Sequence, residues 1–148
     1  MRARRLALAA LSLLALVAAA KAAGTESPVG RWVTEGGGSH VEIYPCGERL
    51  CGRIAWLKEP LGKDGRPKRD SKNPDPARRA QTIEGLTFMW DFAAASAPGE
   101  WVDGRVYNPR DGETYRARMK LLSDGRLELR GYVVLPLLGG STRWQRLN

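Results

Sequence analysis

The sequence predicts an all-β protein, an antiparallel up-and-down barrel of about eight strands with one long polar loop after the third. Three observations carry this. Short segments of alternating or aromatic-rich character recur along the chain, separated by glycine, proline, aspartate and asparagine. No segment shows the apolar spacing of a full-length helix. The first and last strand-like segments, Val29–Thr34 and Ser141–Leu147, each carry a tryptophan beside arginine, as expected if the two ends of a sheet pair and remove its edges.

The strands begin after an N-terminal segment of a different kind. Arg2, Arg4 and Arg5 precede an apolar run from Leu6 to Val17, and Ala18-Ala19-Ala20 and Ala20-Lys21-Ala22 offer cleavage sites. This pattern predicts a signal peptide over residues 1–20, cut between 20 and 24, and export to the periplasm or beyond. The run is too short to cross a bilayer comfortably, and no later run is longer, so no transmembrane segment is expected after cleavage. Residues 28–148 then form a single domain of ordinary size. The formal charge is +8, of which Arg2, Arg4 and Arg5 supply three, leaving +5. That balance favours anionic envelope molecules, whereas an exported chain rarely meets nucleic acid, so no nucleic-acid partner is expected. The sequence is silent on oligomeric state.

After the lead-in Lys21–Ser27, Val29–Thr34 is the first strand and Glu35–Ser39 a glycine-rich turn. His40–Tyr44 alternates polar and apolar residues and is the second strand. Cys46 and Cys51 have four residues between them, Gly47 among these. In an exported chain they are expected to form a disulfide, closing a hairpin loop and stabilising by about 2 kcal/mol in the chain-entropy model. They lack the C-x-x-C spacing of a redox pair, and with the lone His40 they supply too few ligands for zinc. Leu50–Leu57 is the third strand, with Ile54 and Trp56 expected on one face.

Lys58–Gln81 breaks the rhythm with Pro60, Pro67, Pro74 and Pro76 and with eight basic against four acidic side chains. A connection of this length is unusual in a small domain and points to a working loop. Asp75-Pro76 is expected to start one helical turn, as cap and first residue. Leu86–Phe92 is the fourth strand, expected to place Leu86, Phe88, Trp90 and Phe92 on one side and Met89 on the other. Glu100–Tyr107 holds Asp103-Gly104, read as a bulge or as a turn between two shorter strands. Asn108–Gly112 is a turn. Glu113–Leu122 alternates cleanly, with Tyr115, Ala117, Met119 and Leu121 against Arg116, Arg118 and Lys120. Ser123–Gly125 turns the chain into Arg126–Val134, with Leu127, Leu129 and Gly131 inward. An apolar connection around Pro136, carrying Leu135, Leu137 and Leu138, leads to the last strand.

Gly30-x-Trp32 and Trp144-x-Arg146 resemble the closure signature of lipocalin-type (calycin) barrels, which implies Arg146 packed over Trp32 at one sealed end. The wider order of motifs is similar to the exported bacterial family catalogued as domain of unknown function 2147. It runs through Gly30-Arg31-Trp32, His40–Tyr44, Cys46, Leu50–Ile54, Asp70-x-x-Asn73-Pro74-Asp75-Pro76, Gly104-x-x-Tyr107-x-Pro109-x-x-Gly112-x-x-Tyr115, Arg130-Gly131-Tyr132 and Trp144-x-Arg146. The resemblance implies a small periplasmic barrel and carries no catalytic residues with it.

Asp70, Asn73, Asp75, Arg78 and Arg79 are the candidate ligand-binding residues, a polar cluster able to grip a small anionic or sugar-like molecule. The same residues would otherwise hold turns of a lid, with an arginine on Asp70. Asp70, Asn73 and Asp75 lack the glycine and terminal glutamate of a calcium loop, and no metal or cofactor is expected. His40 is the single histidine, with Glu42 as its neighbour; the sequence names no catalytic residue and leaves enzymatic activity open. Binding of a small or envelope-derived ligand is the leading expectation. A structural module with a filled barrel, acting through its basic loop and apolar connection, is the alternative, favoured by the bulk of Trp32, Ile54, Trp56, Met89, Tyr115 and Met119. A hydrolase is the third.

Overall fold

A computed structural model describes residues 27–133 and 139–148. The expected leader and the Leu135, Leu137 and Leu138 connection lie outside the described residues. Eight strands close into one antiparallel barrel in sequence order: β1 (Gly30–Val33), β2 (Ser39–Cys46), β3 (Arg49–Leu57), β4 (Thr87–Ala94), β5 (Glu100–Asn108), β6 (Glu113–Leu121), β7 (Leu127–Tyr132) and β8 (Gly140–Arg146). Two single 3-10 turns, Glu35–Gly37 and Pro76–Arg78, are the helical elements among the described residues. Among those residues no helix is long and apolar enough to cross a membrane.

β1 meets β8 through Trp32 opposite Arg146 and Val33 opposite Gln145. The Arg146 guanidinium lies 4.3 Å from the centre of the Trp32 ring. Its two terminal nitrogens donate to the carbonyls of Val29 and Ser27 at 3.1 and 2.7 Å, and the Trp32 indole donates to Pro28 O at 2.8 Å. Gly30 is what makes room: its φ is +131°, and a Cβ there would sit 3.1 Å from Arg146 Nη1. The glycine of the G-x-W pair therefore serves the arginine that covers the tryptophan.

The half of the barrel above this seal is solid. Trp32, Ile43, Met89, Phe92, Met119 and Leu127 are all fully buried. Two glycines let the largest of them in. A side chain at Gly104 would run into the Phe92 ring, and one at Gly52 into Met89. The sheet thus exchanges two side chains for backbone surface and fills the space from β4, the strand between them, keeping interior density high.

Two local departures from alternation correct the sequence reading, and a third is the bulge that it offered as one of two alternatives. The register between β2 and β3 slips so that Val41 faces Ile54 while His40 faces Trp56. Ala55 is the extra residue, and Trp56 turns outward, 41% exposed, with its ring 4.4 Å from that of His40. A one-residue bulge reverses every later side chain, so Ile54 and Trp56 do not share a face. β4 slips twice against β3, with Asp91 at a φ of 64°. Phe88 and Met89, expected on opposite faces, are therefore both buried in the core with Phe92, while Trp90 is only half-buried. Asp103-Gly104 is a bulge inside one continuous β5, with Asp103 at a φ of 60° and the register shifted between Trp101 and Gly104.

Candidate functional site

Above the solid half, the barrel opens. A cavity of about 1040 Å³ reaches the mouth formed by the Thr34–Ser39 turn, the end of β3, the residue 58–86 connection and the β5–β6 turn. Its inner wall is apolar: Val41, Ile54, Phe88, Leu129 and Trp144, with Leu57, Ile83 and Val106 nearer the rim. The rim carries Lys58, Arg66, Lys68, Arg69 and Arg110 against two carboxylates, Glu59 and Asp64. The expectation of an interior filled throughout is corrected here. Trp56 faces outward, and the Tyr115 hydroxyl donates to Asp111 Oδ2 at 2.8 Å in the β5–β6 turn, so neither plugs the space.

The connection from Lys58 to Leu86 is a strap with structure of its own. Bridges pair Leu61 with Pro67 and Arg69 with Thr82. Asp70 is its anchor, a fully buried acidic side chain. It accepts from Tyr107 Oη at 2.6 Å, Asn73 Nδ2 at 2.7 Å and Gln81 Nε2 at 3.2 Å. A buried carboxylate is tolerated where donors surround it in this way. Among the described residues no arginine fills the place beside Asp70 that the lid reading gave one; a tyrosine from β5 does. Burial, followed by this hydrogen bond, pushes the Tyr107 phenol up to about 12. Tyr107 is therefore a strand-to-strap tie, while Tyr115 holds the neighbouring turn.

The remaining cluster residues are also engaged locally. Asn73 Oδ1 accepts from Asp75 N at 2.9 Å, and Arg79 Nε donates to Asn73 O at 2.8 Å. Asp75 caps the Pro76–Arg78 turn by accepting from Ala77 N at 3.0 Å, and its other oxygen lies 3.5 Å from Arg78 Nε. So the structure brings Asp70, Asn73 and Asp75 together with Arg79, but around each other; the cavity wall is built from their neighbours Arg69 and Ser71. The strap then docks on the β5–β6 turn. Lys72 Nζ donates to Arg110 O at 2.6 Å, and a side chain at Gly112, where φ is +78°, would collide with Lys72 O. In that turn a backbone hydrogen bond from Glu113, reinforced by Tyr115 and Asn108, holds the Asp111 carboxyl below its usual range.

Sequence reasoning missed the cavity cations Lys58, Arg66, Lys68, Arg69 and Arg110. Four lie in the basic loop that drew attention, but its Asx and proline motifs pointed to its far half. His40 stacks on Trp56, and Glu42 accepts from Arg53 at 2.7 and 2.9 Å, so the two are not joined as base and orienting acid. Cys46 and Cys51 form the expected disulfide on the β2–β3 hairpin, at the sealed end.

An eight-stranded barrel sealed at one end by an arginine on a first-strand tryptophan, and open at the other over an apolar cavity, is a lipocalin-type barrel. The chain belongs to the family DUF2147, described as uncharacterized protein conserved in bacteria, whose model matches residues 30–146. Among solved structures it is similar to protein HP1028 of the human pathogen Helicobacter pylori, described as belonging to the lipocalin family. The two share 26% identity over 81% of this chain and 82% of the other, with a TM-score of 0.69. Among curated proteins, none matches the chain.

Proposed function

We propose that this protein is a periplasmic binding protein that holds one small ligand in the open half of its barrel, without transforming it. The observation that supports this reading above the others is the cavity of about 1040 Å³, at the upper end of the range in which small-molecule sites fall. Eight strands leave room for side chains or for one small ligand, and here each occupies one half. The solid-module alternative accounts for the sealed half alone. The hydrolase alternative lacks a joined base and acid at His40. In this reading Asp70, Asn73, Asp75, Arg78 and Arg79 keep the strap in shape beside the mouth, and the leader delivers the chain to the compartment where Cys46–Cys51 forms.

The test is native mass spectrometry on protein purified from its own periplasm. A small molecule retained by the full chain and lost from Thr142→Trp, which projects bulk into the cavity, is the expected result. Protein recovered bare, together with unchanged binding of a neutral fluorescent naphthylamine probe to Thr142→Trp, counts against the reading.

A further inference from the structure

Resting on that reading, we propose that the occupant is an anionic amphiphile: its alkyl part seated inward and a carboxylate, sulfate or phosphate head at the rim. The polarity of the cavity changes with depth. Its floor is made by Val41, Ile54, Phe88, Leu129 and Trp144. The polar neighbour of this floor is Thr142, opposite Leu129. Beyond that one hydroxyl the floor is apolar, so a charged head would be stripped of water there with little compensation. An alkyl chain loses nothing by entering.

The rim is the opposite. Lys58, Arg66 and Arg110 line it, and among the described residues no carboxylate pairs with their side chains. Lys68 meets Glu59 at 3.8 Å with both side chains open to water, a weak pair. Asp64, the other rim carboxylate, accepts from the backbone N of Arg66 at 3.1 Å and so closes its own turn. Excess positive charge over a low-dielectric cleft raises the local concentration of anions. A zwitterionic or cationic head would find no such match.

Isothermal titration of the full mature chain with laurate, lauryl phosphate, lauryl alcohol and lauryltrimethylammonium, all below their micellar concentrations, tests this. Both anions are expected to bind about tenfold or more tighter than the alcohol, as charge-assisted contacts allow, with the ammonium weakest. The two anionic arms tell a free fatty acid from a phosphorylated lipid fragment. Combining Lys58→Glu, Arg66→Glu and Arg110→Glu, all at the rim, should abolish the anion preference and leave alcohol binding intact. Equal binding of alcohol and anions, or an anion preference that survives the triple variant, overturns the proposal. Binding of none of the four overturns it as well. Two cavity-filling variants, Thr142→Trp and Val106→Trp, separate this from the underlying reading. If they block probes that show no charge preference, the cavity reading stands and the ligand class falls. If they block nothing, the cavity reading falls.

Discussion

Arg146 stacks on Trp32, bonds two carbonyls that precede β1, and needs Gly30 to be bare. Cation–π contact supplies roughly 0.5–2 kcal/mol, and each charged hydrogen bond can add about as much. Arg146→Ala should therefore lower unfolding stability by about 2–3 kcal/mol in urea titration, and Arg146→Lys should recover only part of it, because an ammonium cannot stack and reach both carbonyls together. Tyr107 is the other residue on which distant parts converge. Tyr107→Phe removes one donor from buried Asp70 and should cost about 1–3 kcal/mol. The same contact gives a pH signature. The folded phenol keeps its proton to about 12, while the unfolded one releases it near the ordinary 10.0. Its contribution is complete below pH 10 and is lost as pH climbs from 10 towards 12. The stability difference between wild type and Tyr107→Phe should shrink across that window in alkaline urea titrations; a constant difference would show that the tie does not titrate.

The strap is the element whose geometry most affects the mouth. It is rich in trypsin sites, and Asp70 holds them near the barrel. Asp70→Ala should speed tryptic cutting at Arg69 and Lys72 severalfold without loss of the barrel's circular dichroism, whereas simultaneous loss of both would mean that strap and barrel unfold as one unit. The hairpin disulfide acts at the other end. Its reduction, or Cys46→Ser with Cys51→Ser, should cost about 2 kcal/mol in the chain-entropy model and leave ligand binding unchanged. These elements differ in how readable they were. The strands with strict alternation, β6 and β7, follow from the sequence, because Tyr115, Ala117, Met119 and Leu121 and then Leu127 and Leu129 mark one face. β3 and β4 did not, because a bulge is a property of pairing. Nothing in Ile54-Ala55-Trp56 says that Ala55 will go unpaired, so Trp56 read as interior. Asp91 is a polar residue in a strand, yet its positive φ depends on where Leu50 and Gly52 sit opposite.

At the scale of the molecule, closure was legible from two short motifs at the ends of the chain, and the disulfide from spacing and the expected export. The division of the barrel into a solid and an open half was not. It depends on Gly52 and Gly104 admitting Met89 and Phe92 low in the barrel, and on Trp56 leaving the interior altogether. A bound ligand should stabilise the whole fold by mass action, by about 2.7 kcal/mol at a hundredfold excess over Kd, read as a rise in melting temperature that Thr142→Trp abolishes. One consequence follows from the shortness of the β1–β8 pairing. Two residue pairs and the bond from Leu147 N to Arg31 O join these strands, against eight pairs between β2 and β3. Thermal breathing of the wall should start there, like a zip eased from its last teeth. Amide deuteration is expected to reach β8 before any other strand, faster still in Arg146→Ala, with the ring of hydrogen bonds parting into an open sheet while β2, β3, β5 and β6 keep their protons.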